Sequence, residues 1–319
     1  PSGAPRERDM SEFRLLMISA MYENGGNVTH RFLDGHPEML AYPFESQLGT
    51  ALVNDPLTSM FPVKYRWPVF DLAATPQQDF HAIIDEECRV RIRTPHVSKF
   101  RDAAMDLSDA DRERHYIARV ERSGRSAGNN VAAFFGATFD AWKDHRRGSD
   151  ARVYVGYSPI IGVDTARILR DLPDAHVLHI VRNPWAAYAD TKKRPKPLSL
   201  ASYMTAWVTV QYHALLSREQ YPKQVSVIRA EDVMADAFTA LGGLCRQIDT
   251  APANTLRTMS WNGEALPEAY PWGTIRRATS EANVATAREL SAVERDEVAL
   301  RASHYLDAFD YQSLRRQLG

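Results

Sequence analysis

The segment HVLHIVRNPWAAYAD, residues 176–190, decides how the rest of the chain is interpreted. Its first six residues have the apolar and β-branched side chains that are typical of a buried strand. Asn183 and Pro184 follow, and a proline at this place predicts the first turn of a helix. Arg182 therefore lies where the strand ends. Open α/β sheets bind ligands at the carboxyl ends of their strands, and a guanidinium group there suits a phosphate.

Three more short apolar runs predict strands, at 13–20, 152–156 and 224–229. Helical periodicity is found at 27–35, 109–120, 132–145, 163–172, 198–219, 232–248 and 291–306. Strands that alternate with helices in this way predict an α/β fold, in which a mostly parallel sheet carries helices on both faces.

The region from about 50 to 150 has a different pattern. It is rich in charged residues, shows mainly helical periodicity, and contains glycine and serine at 122–130. We interpret it as a helical insertion within a single domain that spans residues 1–319. Because long insertions often carry functional loops, we expect it to form a cap over the face with the active site.

The second informative segment is SAMYENGGNVTHRFLDGHP, residues 19–37, which follows the first apolar run. A strand that leads through a glycine pair into a helix forms a phosphate-binding loop, because backbone N–H groups and the helix N-terminus converge on an anion. The sequence thus predicts that Asn24, Gly25, Gly26 and Asn27 offer their amides to a phosphate or sulfate group. Such loops usually carry a lysine or arginine, and this one carries Glu23.

Composition limits the class of protein. The 319 residues include 39 basic and 40 acidic ones, and the net charge of -1 gives no overall field to attract nucleic acid or an anionic membrane. Cys88 and Cys245 stand far apart without metal-ligand spacing, so we expect neither a disulfide framework nor a metal site. No apolar run has the length of a membrane span, and the start lacks the apolar core of a signal peptide. We therefore expect a cytoplasmic enzyme.

Four segments, in their order along the chain, resemble motifs of the bacterial sulfotransferases that use 3′-phosphoadenosine 5′-phosphosulfate (PAPS). The corresponding family motifs read D-A-H-P, G-x-K-T-P, R-[DN]-P and R-Y-E-D-L-L. The segments are Asp34-Gly35-His36-Pro37, Gly156-Tyr157-Ser158-Pro159, Arg182-Asn183-Pro184 and Arg229-Ala230-Glu231-Asp232-Val233. The first of them aligns residues 20–27 with the phosphosulfate-binding loop of the family.

This resemblance implies a P-loop-like strand-loop-helix and a transfer of the sulfuryl group from PAPS to a hydroxyl group of a small molecule or glycan. The product would be adenosine 3′,5′-bisphosphate (PAP). By the same resemblance, Arg182 binds the 3′-phosphate, and Asp190 occupies the position of a family serine that also binds it. A late loop that covers the nucleotide would supply Gly273, Arg276 and Arg277.

Two residues are candidates for the general base that accepts the proton of the acceptor hydroxyl. Related bacterial members carry a glutamate about nine residues after the His-Pro pair, and here Glu45 occupies that place. His36 is the second candidate, although a His-Pro pair also serves to end a helix. For Glu45, the alternative is a solvated glutamate in a loop.

Three positions depart from the family pattern: Glu23, Tyr157 and Asp190 replace a cation, a lysine and a serine. A carboxylate at position 23 would repel the leaving group, so another cation has to offset that charge, and the run at 191–194 is the nearest in sequence. The departures also allow a re-purposed protein with altered cofactor use. A P-loop kinase is a weaker alternative, since residues 19–30 contain no lysine.

The acceptor is not specified by any motif. Aromatic residues of the insertion can line an apolar acceptor pocket, or they can form the core of the cap itself. A polyanionic glycan would instead require a basic groove, for which Arg89, Arg91, Arg93 and Lys99 are candidates. We favour a small hydroxylated metabolite or natural product.

Overall fold

The centre of the molecule is a sheet of five parallel strands in the order β2-β3-β1-β4-β5. The computed structural model describes residues 13–146, 148, 150–267 and 279–318. The strands of the sheet are β1 Arg14–Ala20, β2 Met39–Ala41, β3 Val153–Pro159, β4 His176–Val181 and β5 Val225–Arg229. A separate antiparallel pair consists of β6 Ser260–Trp261 and β7 Glu264–Ala265.

Strand β1 lies in the middle of the sheet, where the order of the strands reverses. Its last residue, Ala20, is opposite Pro159 in β3 and Ile180 in β4. The three strands therefore end close together, and the loops that follow them meet at one edge. In open α/β sheets this is the position where ligands bind.

Helices cover both faces of the sheet. In the described residues they are α1 Gly26–Leu33, α2 Pro76–Ala82, α3 Glu86–Arg93, α4 Asp109–Ser123, α5 Ala127–Ala141, α6 Thr165–Asp171, α7 Pro184–Lys192, α8 Leu200–Gln220, α9 Ala230–Ala235, α10 Ala237–Gln247, α11 Ser280–Ala287, α12 Ala292–Arg301, α13 Ser303–Leu306 and α14 Gln312–Leu318. Every residue of β3 and β4 is buried, as expected of parallel strands that are covered on both sides.

The apolar interior consists of two clusters. The larger one joins the strands to α1, α5 and α10, and the second is built around α7, α8 and α12. The predicted α/β fold with a mostly parallel sheet is thereby confirmed. The strand β2 was not predicted, because three residues are too short to show a periodic pattern.

Two predicted helices are each divided in two. The stretch 232–248 contains α9 and α10, and the break falls at Asp236, whose side chain accepts a hydrogen bond from the Thr239 amide at 3.1 Å and caps α10. The stretch 291–306 is divided at Ala302. The apolar periodicity continues across both breaks, so it does not reveal the capping side chain at one of them or the bend at the other.

The stretch between β2 and β3 contains the helices α2 to α5, and its parts have different positions. Helix α5 belongs to the layer on the sheet, since the Phe135 ring lies 5.4 Å from that of Tyr42. The earlier part reaches the carboxyl edge of the sheet. There the Ser46 amide donates to the Tyr157 carbonyl at 2.5 Å, and Ser158 Oγ donates to the Tyr65 carbonyl at 3.4 Å.

Candidate functional site

The loop 21–25, between β1 and α1, has a backbone that few residues can adopt. Glu23 and Gly25 have φ angles of 59° and 86°, both in the left-handed region. A Cβ atom at Gly26 would lie 2.3 Å from the ring of Tyr157, so only glycine fits there. The glycine pair is thus required by a positive φ at one position and by a close approach at the next.

The N-terminus of α1 offers free hydrogen-bond donors. The amides of Gly25, Gly26, Asn27 and Val28 have no acceptor within the described part of the chain, and no side chain caps the helix. The positive end of the helix dipole adds to these donors. The arrangement can bind an anion at the edge where β1, β3 and β4 end.

Asn24 has another role than the one predicted. Its amide donates to the Met21 carbonyl at 3.0 Å and is not available to a ligand. Its side chain donates to the Tyr203 hydroxyl at 3.1 Å and accepts from the Arg182 amide at 3.0 Å. Asn24 therefore fixes the loop to β4 and α8, and the prediction of a donor at this position is wrong.

Arg182 lies at the predicted place, the end of β4, but its guanidinium is engaged within the protein. Nη1 donates to Asp190 Oδ2 at 2.7 Å and to the Glu23 carbonyl at 2.9 Å, while Nε donates to Asn283 Oδ1 at 2.7 Å. Arg182 and Asp190 are only 2% and 4% exposed. The guanidinium of Arg182 is thus already paired with a buried carboxylate.

In the run at 191–194, Lys193 lies beside Asp190 and Arg194 lies beside the loop 21–25. Lys193 Nζ lies 3.0 Å from Asp190 Oδ1, and Arg194 Nε lies 3.6 Å from Glu23 Oε1. Arg194 also lies over the ring of Tyr22, 5.2 Å from its centre. A cation therefore accompanies the carboxylate that replaces the usual basic residue.

Glu45 follows β2 and reaches the same edge, where a second carboxylate adjoins it. Its amide donates to Glu87 Oε2 at 3.3 Å, and Lys99 forms an ion pair with Glu87. Burial, reinforced by the charge of Glu45, raises the pKa of Glu87 to about 7, although Lys99 acts in the opposite direction. Burial and the same carboxylate raise the pKa of Tyr65 far above its ordinary value. Glu45 thus lies among groups whose proton affinities depend on its charge.

His36 lies at the opposite edge of the sheet, before β2 begins. Its Nε2 is 3.0 Å from the Ala251 carbonyl oxygen, and its Nδ1 accepts from the Glu38 amide at 3.2 Å. Burial lowers its pKa. Since both ring nitrogens bond to the backbone and α1 separates the residue from the loop 21–25, we do not retain His36 as a base.

The remaining predicted residues of the late loop, Gly273, Arg276 and Arg277, lie outside the described residues. Sequence reasoning missed Glu87 and Asn283, and it named Lys99 only for a basic groove; the structure brings all three to the site. No motif marks them, because each reaches the site through contacts between distant segments.

Within the described ranges, no group of three or more His, Cys, Asp or Glu side chains could hold a metal ion. No helix in those ranges is long and apolar enough for a membrane span.

The chain belongs to the sulfotransferase family, whose sequence model matches residues 25–253. Two solved structures share its fold. The sulfotransferase domain of the olefin synthase from Synechococcus PCC 7002 has a TM-score of 0.51 and 14% identity, over 94% of this chain and 96% of the domain. The sulfotransferase domain from the curacin biosynthetic pathway has a TM-score of 0.51 and 12% identity, over 91% of this chain and 98% of the domain. Comparison with curated protein sequences gave no significant match.

Proposed function

We propose that this protein transfers a sulfuryl group from PAPS to a hydroxyl group of a small molecule or glycan. The observation that carries the proposal is the uncapped N-terminus of α1, where four backbone amides have no acceptor in the described residues. Together with membership of the sulfotransferase family, this favours a phosphosulfate group as the anion at the loop 21–25.

Glu45 is the residue that we assign as general base. It is a carboxylate at the ligand-binding edge of the sheet and is 9% exposed. The side-chain Nε2 of Gln47 donates a hydrogen bond to its Oε2 at 3.5 Å. It would take the proton as the acceptor oxygen bonds to sulfur, while the sulfur–oxygen bond to the phosphate breaks and its electron pair stays on PAP. The α1 amides would stabilise the charge that develops on this phosphate.

The residues fit the two ends of PAPS unequally. The α1 amides suit the phosphosulfate, whereas Arg182 already has a buried carboxylate partner and does not suit a 3′-phosphate. This ion pair favours a second candidate function, namely a sulfotransferase-fold protein with altered cofactor use. In that case a nucleotide without a 3′-phosphate would bind better than PAP.

Thermal-shift measurements with PAP, PAPS, adenosine 5′-phosphosulfate and ATP-Mg²⁺ distinguish these functions. A ligand at a hundredfold excess over its Kd stabilises by about 2.7 kcal/mol, which raises the Tm by several degrees. We expect PAP and PAPS to give this shift. A larger shift with adenosine 5′-phosphosulfate would favour altered cofactor use, and a shift with ATP-Mg²⁺ alone would favour a kinase. No shift with any of them would contradict the proposed function.

A further inference from the structure

A cavity of about 300 Å³ lies beside the carboxyl edge of the sheet, against α3. We call it the α3 cavity. Its walls come from a short turn at Val63–Tyr65, from α3 and from the segment at 97–100. The lining residues used below are Tyr65, Glu87, Val90, Val97, Lys99 and Phe100.

The α3 cavity is connected to the proposed base through short contacts. Glu87, which lines it, accepts the Glu45 amide at 3.3 Å. Gln47 also lines it and joins the two glutamates, since its Oε1 accepts the Glu87 amide at 3.1 Å and its Nε2 donates to Glu45 at 3.5 Å.

The same cavity adjoins the anion-binding loop. The ring of Tyr65 lies 6.0 Å from the ring of Tyr22, which belongs to the loop 21–25. Burial, with a smaller contribution from Glu45, raises the pKa of Tyr22 to about 12, and Arg194 opposes it. A molecule in the cavity would thus lie next to both the proposed base and the loop.

The charges of the cavity compensate one another. Lys99 pairs with Glu87, and Lys64 pairs with Glu86. Beside these pairs and the uncharged Gln47 and Ser98, the lining includes the apolar side chains of Val90, Val97 and Phe100. Balanced charges beside apolar walls suit an uncharged ligand, because a charged one would lose its hydration without gaining an unpaired partner.

The basic groove that a polyanionic glycan would need is not free. Arg89 donates to the Phe80 carbonyl at 2.8 Å, and Arg91 donates to the Ala103 carbonyl at 2.6 Å. Arg93 and Lys99 form ion pairs with Asp109 and Glu87. All four predicted cations are thus used within the protein.

We infer that the α3 cavity binds the acceptor, and that the acceptor is an uncharged hydroxyl compound with an apolar body. The inference rests on the proposed function and specifies its second substrate. The acceptor hydroxyl would face Glu45 from the side of Glu87, and the apolar body would lie against Val90 and Phe100.

The test uses 2-naphthol as the uncharged probe and a heparosan hexasaccharide as the anionic one, with binding measured by saturation-transfer NMR. Val90→Trp fills the cavity from α3, and Val97→Trp does so from a position that is 64% exposed. Val293→Trp, at a position 79% exposed on α12, is the matched control. We expect 2-naphthol to bind at least tenfold more weakly to both cavity variants and unchanged to the control.

The thermal shift with PAP, measured on every variant, separates the two hypotheses. We expect it to be equal in all of them, because no substitution touches the loop 21–25. Unchanged naphthol binding in both cavity variants, absence of naphthol binding to the wild type, or tighter binding of the hexasaccharide would each overturn the acceptor assignment. Absence of a thermal shift with PAP in the wild type would instead contradict the proposed function. The comparison of naphthol binding between the cavity variants and the control would still be valid in that case.

Discussion

Single side chains at the carboxyl edge decide which chemistry the site can perform. Arg182 illustrates this. It is the arginine that the sequence predicts as the ligand of a phosphate, but Asp190, at 2.7 Å, already compensates its charge. This pair could have been anticipated, since the residues are eight apart and α7 begins between them. The partnership of Glu45 and Glu87 could not, because 42 residues separate them and no pattern connects the segments.

Asp190→Ser tests the compensated arginine. We expect PAP to bind about tenfold more tightly, because a phosphate near Arg182 would no longer face a carboxylate. Isothermal titration with PAP and with adenosine 5′-phosphate shows whether the gain depends on the 3′-phosphate. Asp174→Ser, at an exposed position, is the control. An equal or weaker affinity for PAP would show that Arg182 does not contact the 3′-phosphate.

Glu45→Gln tests the proposed base. Turnover should fall by about 10² to 10⁴, since the amide cannot accept the proton, while the affinity for PAP should change little. Glu264→Gln, at an exposed position away from the sheet edge, is the control. Initial rates with saturating PAPS give the comparison, and retention of full turnover in Glu45→Gln would exclude this residue as the base.

At the scale of elements, the helix α1 depends on the close approach of its first residue to β3. Gly26→Ala would place a Cβ atom 2.3 Å from the Tyr157 ring and should lower the free energy of unfolding by about 1 to 3 kcal/mol. It should also displace the α1 amides and weaken PAP binding. Urea denaturation and thermal shift measure both effects.

Gly243→Ala in α10 is the matched control, because its nearest contact would be 4.0 Å away. There the substitution should be neutral or stabilise the helix by up to about 1 kcal/mol. Equal effects at the two glycines would contradict the steric explanation for residue 26.

Glu87, in the first turn of α3, should make the free energy of unfolding depend on pH. Burial raises the pKa of Glu87 from 4.5 to about 7, so the folded state retains a proton that the unfolded chain loses. The stability from this group is present below about pH 4.5 and is lost as the pH rises through about 7. The difference in unfolding free energy between wild type and Glu87→Gln should therefore fall by roughly 3 kcal/mol from pH 4.5 to 8.

Glu86→Gln, one position earlier on α3, provides the control, because Glu86 is exposed and pairs with Lys64. Its difference from the wild type should vary little over the same range. Urea titrations at pH 4.5 and 8 decide the matter, and a difference for Glu87→Gln that stays constant would contradict the raised pKa.

For the whole molecule, local patterns predicted the sheet better than the site. Four of the five strands and the glycine loop follow from apolar runs and turn residues, which are local signals. The positions of Glu87, Lys99 and Asn283 depend on how α3, the segment at 97–100 and α11 pack, and no local signal encodes this. Asn24 shows the same difference, since its loop was predicted and its partners on α8 were not.

A buried arginine joins the helical insertion to the sheet layer. Arg66 is 1% exposed; its Nε lies 2.7 Å from Asp164 Oδ2, and its Nη2 lies 2.7 Å from Asp55 Oδ2. Arg66→Met should lower the free energy of unfolding by about 3 kcal/mol, the lower end for a broken buried ion pair, because the buried Asp164 would keep only Arg167, at 3.3 Å, as a cationic partner. Arg101→Met, at an exposed arginine, should change it by less than about 0.5 kcal/mol. Equal denaturation midpoints would refute this role of Arg66.

The bonding of Asn24 restricts what the sequence can vary. Its side-chain Nδ2 donates to the Tyr22 carbonyl and the Tyr203 hydroxyl. Its Oδ1 accepts from the backbone amide of Arg182 and from the Trp207 indole. An aspartate cannot donate, and a leucine can do neither, so no residue of similar shape satisfies all four partners. We therefore expect sequences that form this loop to keep Asn24 together with Tyr203 and Trp207.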